Sequence, residues 1–318
     1  MTDILLPSWN DTATKRRILD FLAQVTTGPD AVPVEQRIAV FDNDGTLWTE
    51  KPMPTQLHFI IMQWAEAARR DPSLAEEQPY KAVVSGDYSW LGKAVEKHYE
   101  GDDDDLHVLV KAIVASTAGV DVGAYAKAVA TFYREQQHPV LKRPYRDTVY
   151  RPMVELLRAL ESHDFTCFIV SGGDRDFMRP MTTEYYGIPP ERVIGSAVGL
   201  TWSDDGQHTG VRYGNSFSFM DDGPEKPVRI WSRIGRAPIF AAGNSNGDVA
   251  MLRYATSGPL GLGIVVRHDD SSDRGDVAYT SGAEEVIAAA ATHNWVSVSV
   301  KDDWNEVFRG NASAFSDD

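Results

Sequence analysis

Three short apolar runs, Ile38–Phe41, 165–170 and 239–242, each stop abruptly at a polar, glycine-containing loop. Runs this short suit strands buried on both faces of a sheet. The spacing of apolar residues predicts helices over 13–25, 55–70, 105–134, 152–162, 177–186, 249–256 and 284–291. Further strands are expected near 262–266 and 295–300, and a hairpin over 192–213 that turns at Ser203-Asp204-Asp205-Gly206. Strands alternating with helices imply an α/β fold, a mostly parallel sheet covered on both faces. Residues 52–146 interrupt the alternation and show little β signal. The expectation is therefore a discontinuous core, residues 1–51 and 147–318, with a helical cap, 52–146, inserted over the carboxyl edge of the strands. That edge is where open α/β sheets bind ligands.

The first run ends in Asp42-Asn43-Asp44-Gly45-Thr46. Residues two apart on a strand point the same way. As the strand ends and Gly45 lets the chain turn, Asp42 and Asp44 can face one pocket. Two carboxylates held close repel unless a cation sits near them. Magnesium suits such a place, because it takes oxygen ligands and keeps substrate oxygens and waters in its shell. The second run ends in Ser171-Gly172-Gly173 at a helix start, a hydroxyl and backbone N–H groups fit to cradle phosphate. Lys226 is the single lysine between Lys142 and Lys301, a compact point charge among arginines. The third run ends in Gly243-Asn244-Ser245-Asn246-Gly247-Asp248, where Asn244 and Asp248 offer oxygen atoms.

These four elements, in this order, resemble the haloacid dehalogenase superfamily, and within it the phosphoserine-phosphatase-like branch. The resemblance covers about 37–50 and 148–266. It implies a Rossmann-like parallel sheet with an inserted cap. It also implies a magnesium-dependent phosphatase that hydrolyses a small phosphorylated metabolite through an aspartyl phosphate. Carried over, Asp42 matches the nucleophile and Asp44 the general acid and base. Lys226 matches the cation that offsets charge on Asp42 and the phosphoryl group. Ser171, Gly172 and Gly173 would hold phosphoryl oxygens. Magnesium would be held by Asp42, the backbone carbonyl of Asp44, and Asn244 or Asp248. Asp248 could instead orient Lys226. Members that cleave carbon–halogen bonds lack the second acid, because halide leaves without a proton, so Asp44 favours phosphate-ester chemistry.

Two departures bear on substrate. The family's last motif usually has Asp where this chain has Asn244. Glu50 falls one position short of the glutamate that phosphoserine-type enzymes use to read an amine. Trp48 and Arg175 are candidates for substrate contact. The same intermediate would serve a phosphotransferase or phosphomutase, and the altered last motif would suit a weakly active binding or regulatory protein.

The formal net charge of −15 makes nucleic acid and anionic membranes poor partners, since both need a basic face. No stretch approaches the length of a transmembrane helix. The N-terminus lacks the basic start and long apolar stretch of a signal peptide, so the expectation is a cytoplasmic protein. The single cysteine, Cys167, sits in an apolar run and reads as a small buried hydrophobe. The eight histidines, His268 among them, show no pair at metal spacing and read as structural or surface residues.

Overall fold

The computed structural model describes residues 5–29, 31–99, 101–272 and 274–308. The first four residues, on which the expectation about a leader bears, lie outside them. No helix among the described residues is long and apolar enough to cross a membrane.

The chain divides into two compact units. The first comprises Met1–Pro52, Tyr133–Ser196 and Met220–Asp318. Its strands are β1 (Ile38–Phe41), β2 (Thr166–Asp174), the first residues of β3 (Val193–Asp204), β5 (Phe240–Gly243), β6 (Leu262–Arg267) and β7 (Val296–Ser299). They lie in the order β3-β2-β1-β5-β6-β7, all parallel. Chain order runs outward from β1 on one side and resumes at β5 on the other. The β1/β5 boundary is thus the point where strand order reverses, and a crevice forms there at the carboxyl ends.

Alternation along β1 sends Ile38 and Val40 into one layer, with Val170, Ile230, Ala241, Met251, Leu252 and Val286. On the other side Phe41 packs against Phe240, ring centroids 5.3 Å apart, and Phe240 against Phe21 of helix Ala13–Thr26 at 6.0 Å. Burial on both faces explains why β1 reads as an unbroken apolar run. Cys167 is fully buried in β2, and burial pushes its thiol well up, which leaves it inert.

The second unit comprises Met53–Phe132 and Ala197–Phe219. Its helices close around Ile60, Ile61, Trp64, Val83, Leu91, Leu109 and Ala112. The rest of β3 pairs antiparallel with β4 (Thr209–Phe219), with Leu200 opposite Tyr213 and Trp202 opposite Val211. This hairpin is tied to the helices: Gly119 N donates to Tyr213 O at 2.8 Å, and the Tyr125 and Tyr213 rings meet at 5.1 Å.

The structure differs from the sequence reading in three places. The helix expected over 105–134 is two helices, Asp104–Thr117 and Val122–Glu135. Gly119 adopts φ +77°, and the Asp121 carboxylate caps the second helix by accepting from Gly123 N and Ala124 N. The passage between 70 and 105 contains two helices that were not expected, Tyr80–Ser85 and Ser89–Tyr99. The units also divide differently from 52–146 against the rest. Residues 133–146 fall in the first unit, where Tyr133 packs on Phe177 at 5.1 Å and Tyr145 on Trp48 at 6.3 Å. Residues 197–219 fall in the second, for the contacts just given.

Candidate active site

β1 lies between β2 and β5, so three loops leave the sheet side by side. Register sets Phe41 against Ile169 on one flank and Ala242 on the other. Asp42 extends the ladder by one bond, its N–H donating to Ala242 O at 2.9 Å. The tips that follow carry Asp42 and Asp44, Ser171 to Gly173, and Asn244 to Asp248.

A buried ammonium joins them. Lys226 sits in the first turn of helix Glu225–Ile234 and is 1% exposed. Its Nζ donates to Asp42 Oδ1 at 2.8 Å, to Asp248 Oδ1 at 2.6 Å and to Val170 O at 3.2 Å. Burial opposes charge on Lys226, but Asp248, Asp42 and Asp222 together hold its proton well beyond the usual lysine range. Asp42 is pushed well up by burial and by Asp248, with Lys226 pulling the other way. The second oxygen of Asp42 receives no hydrogen bond among the described residues.

Both oxygens of Asp248 are engaged. While Oδ1 faces Lys226, Oδ2 accepts from Asn244 N, Ser245 N and the Ser245 hydroxyl, at 2.9, 2.9 and 3.1 Å. Asp248 thus ties Lys226 to the loop. Asn244 is fixed by its amide. Oδ1 accepts from Thr46 Oγ1 at 2.9 Å, and Nδ2 donates to Glu50 and to Tyr279 Oη, both at 3.3 Å. That packing requires a glycine at 45, where φ is +75° and a Cβ would fall 2.1 Å from Asn244 Nδ2.

Asp44 is differently placed. Its Oδ1 accepts from the Trp48 indole N–H at 2.7 Å. Burial pushes its carboxyl up to about 7, the Trp48 bond pulls it down, and Glu50 raises it again. Ser171 is buried within β2, where the pairing with β3 becomes irregular, and its hydroxyl oxygen accepts from Gly173 N at 3.1 Å.

Two expected substrate contacts have other employment. Trp48 is 1% exposed, packed among Tyr133, Tyr145 and Tyr185, so it supports Asp44 and does not line a pocket wall. Arg175 forms a two-pronged bond to the neighbouring Asp176 carboxylate, at 3.0 and 2.9 Å. Glu50, near the position that reads an amine in phosphoserine-type enzymes, accepts from the Tyr279 hydroxyl and Asn244.

Sequence reasoning missed two features. Asp222 presses its carboxylate on the last loop, where a Cβ at Gly247 would fall 2.1 Å from Oδ1. His268, read as an ordinary structural histidine, bonds Asp276 through Nδ1 and the Gly45 carbonyl through Nε2, both at 2.8 Å. Burial works against charge on His268, but Asp276, the Gly45 carbonyl and Glu50 raise it above the usual histidine range. No local signal in the sequence pairs either residue with its partner.

Among the described residues, no three His, Cys, Asp or Glu side chains are grouped to hold a metal ion. Magnesium does not need such a cage, since it binds through one or two carboxylates and keeps the rest of its shell for water and substrate. A carboxylate oxygen of Asp42 and the second lone pair of Asn244 Oδ1 are hard donors of that kind. Asp42 and Asp248 share one lysine, and Asp44 lies close enough to feel it, a charge balance that a divalent cation would relieve.

The model of the haloacid dehalogenase-like hydrolase family matches residues 39–253. Comparison with curated proteins gave no match. Among solved structures, a protein of unknown function from Bordetella pertussis Tohama I is similar at 15% identity and a TM-score of 0.51, over 83% of this chain and 98% of its own. A conserved protein of unknown function from Anaerococcus prevotii DSM 20548 is similar at 15% identity and a TM-score of 0.50, over 89% of this chain and 90% of its own. A phosphoserine phosphohydrolase-like protein from Francisella tularensis subsp. tularensis SCHU S4 matches at 18% identity and a TM-score of 0.40, over 80% and 92%. At such identities the likeness is one of fold.

Proposed function

The chain belongs to the haloacid dehalogenase-like hydrolases, and on that premise we propose that it is a magnesium-dependent phosphomonoesterase acting on a small phosphorylated metabolite. The observation that carries this reading is Asp44: a carboxyl two residues from Asp42, held by Trp48, that titrates near neutrality. An alkoxide leaving group needs a proton and a halide does not. A carboxyl that still carries its proton near pH 7 and can later take one back suits ester cleavage.

In this reading a free oxygen of Asp42 attacks phosphorus in line with the ester oxygen. The P–O bond to the substrate breaks as the new P–O bond to Asp42 forms, and Asp44 gives its proton to the departing alkoxide. Asp44, now a carboxylate, takes a proton from water as that water attacks the phosphoryl group on Asp42. Phosphate leaves and Asp42 is restored. Lys226 keeps Asp42 Oδ1 aimed and offsets charge throughout. The Ser171 hydroxyl, aligned by the bond it accepts from Gly173 N, and the N–H of Gly172 supply donors for the non-bridging oxygens. Asp42, the Asp44 carbonyl and Asn244 would hold magnesium, which supplies neutralisation of phosphoryl charge.

The test is turnover of p-nitrophenyl phosphate with and without magnesium. Activity that depends on magnesium and disappears in Asp42→Asn supports the proposal. Undiminished activity in that variant removes it. A panel of phosphate esters then finds the substrate.

A further inference from the structure

We propose that His268 is a positioning residue for the loop that carries Asp42 and Asp44, acting through its bond to the Gly45 carbonyl. The inference rests on the phosphatase reading for its effect on rate, but not for its effect on structure.

A carbonyl oxygen only accepts, so the 2.8 Å contact fixes a proton on His268 Nε2 whatever the state of the other nitrogen. Nδ1 faces Asp276 Oδ2 at 2.8 Å, and Asp276 Oδ1 accepts from the Tyr150 hydroxyl at 2.9 Å. The ring lies flat on Tyr279, centroids 4.6 Å apart and planes within 10°, with Tyr150 at 5.6 Å. Lys51 covers the Tyr279 ring at 4.1 Å, and the Tyr279 hydroxyl is bound to Glu50. His268 and Asp276 side chains are 1% and 2% exposed. A chain of contacts therefore runs from Tyr150 through Asp276 and His268 to a residue 223 positions away in sequence.

Its end point matters because Gly45 is the freest residue of the loop, at φ +75°. The amide on its N-terminal side is tied, since Gly45 N donates to Trp48 O at 2.9 Å. The carbonyl on its C-terminal side is tied by His268. With both peptide planes fixed, the Cα of Asp44 has little room to drift, and Trp48 fixes its carboxylate. A misplacement of about 1 Å in a reacting group costs on the order of 100-fold in rate.

Two substitutions separate the bonds of the ring. His268→Gln puts an amide nitrogen near the place of Nε2 and keeps a donor for Gly45. His268→Asn puts one near Nδ1 and keeps only the Asp276 side. We expect kcat within about fivefold of wild type for Gln and a fall of about 30-fold or more for Asn, with KM changed less than about twofold in both. Amide hydrogen exchange at Gly45 and Leu47, read without substrate, should quicken about tenfold in Asn and stay put in Gln. A role confined to the buried pair with Asp276 gives the opposite order, which overturns the inference.

Should His268→Asn not fold, Asp276→Asn decides. Its amide can donate to Nδ1 of a neutral ring that keeps Nε2–H on Gly45, so kcat within about threefold of wild type is expected. A loss of tenfold or more overturns the inference. A protein that hydrolyses no phosphate ester, yet shows the exchange order, refutes the phosphatase reading and supports the positioning role. Hydrolysis without the exchange order does the reverse.

Discussion

Trp48 donates its indole N–H to Asp44 Oδ1 across 2.7 Å, from four residues further along the same loop. The ring is buried among three tyrosines, so it cannot swing away, and the carboxylate it holds inherits that rigidity. Trp48→Phe keeps the ring packing and deletes the donor. Because that bond draws the Asp44 carboxyl down, its loss lets the carboxyl rise further. The fall of kcat/KM on the alkaline side should move to higher pH, and kcat should drop about tenfold from poorer aim. A pH–rate profile identical to wild type would contradict the role given to Trp48.

Asp44 also sets a stability slope. Its folded carboxyl titrates at about 7, above the ordinary aspartate range, chiefly through burial. The folded state thus binds this proton more tightly than the unfolded chain. Its contribution is fully present below about pH 4, shrinks as pH rises, and is lost above about pH 7. Asp44→Asn removes the slope and should melt roughly 3 °C above wild type at pH 8, with the advantage gone by pH 4. The same titration predicts kcat/KM falling above about pH 7 as the acid is lost. Melting curves at four pH values check the first expectation, and initial rates the second.

Removing the lysine leaves two acids facing each other. Lys226→Met takes away the ammonium bonded to both Asp42 and Asp248. Breaking a buried ion pair from one side costs about 3–5 kcal/mol. We expect a fall in melting temperature at pH 8 and a loss of at least about 1,000-fold in kcat. The melting deficit should narrow at pH 5, where Asp42, already raised by burial, takes up a proton. Equal deficits at both pH values would count against the cluster as described.

Much of the site was legible because its chemistry is local. Asp42 and Asp44 follow an apolar run, Ser171 to Gly173 follow another, and Asn244 to Asp248 a third. A short run ending in such a loop says both where a strand stops and what it presents. Lys226 stood out by composition alone, although Pro224 and the left-handed Gly235 also bracket its helix, Glu225–Ile234. The contacts that were not legible are those made by folding. No spacing rule sets Trp48 under Asp44, because the loop between them is neither helix nor strand. His268, Asp276, Tyr150 and Gly45 meet only once β6 lies two places from β1 in the sheet. The hairpin 197–219 carries no local mark of the unit it joins. The break at Gly119 was visible as a glycine but was outweighed by apolar periodicity on either side.

The second unit draws its helices from 53–132 and its strands from 197–219, with residues 133–196 of the first unit threaded between. A recombination event that transfers one contiguous segment cannot deliver this unit whole unless the segment also spans β2 and the Ser171-Gly172-Gly173 loop. Exchange among relatives built this way must therefore move the unit and its donor's Ser171-Gly172-Gly173 segment together, or else cross over twice on each side of that segment. Inheritance of the two is linked by the path of the chain.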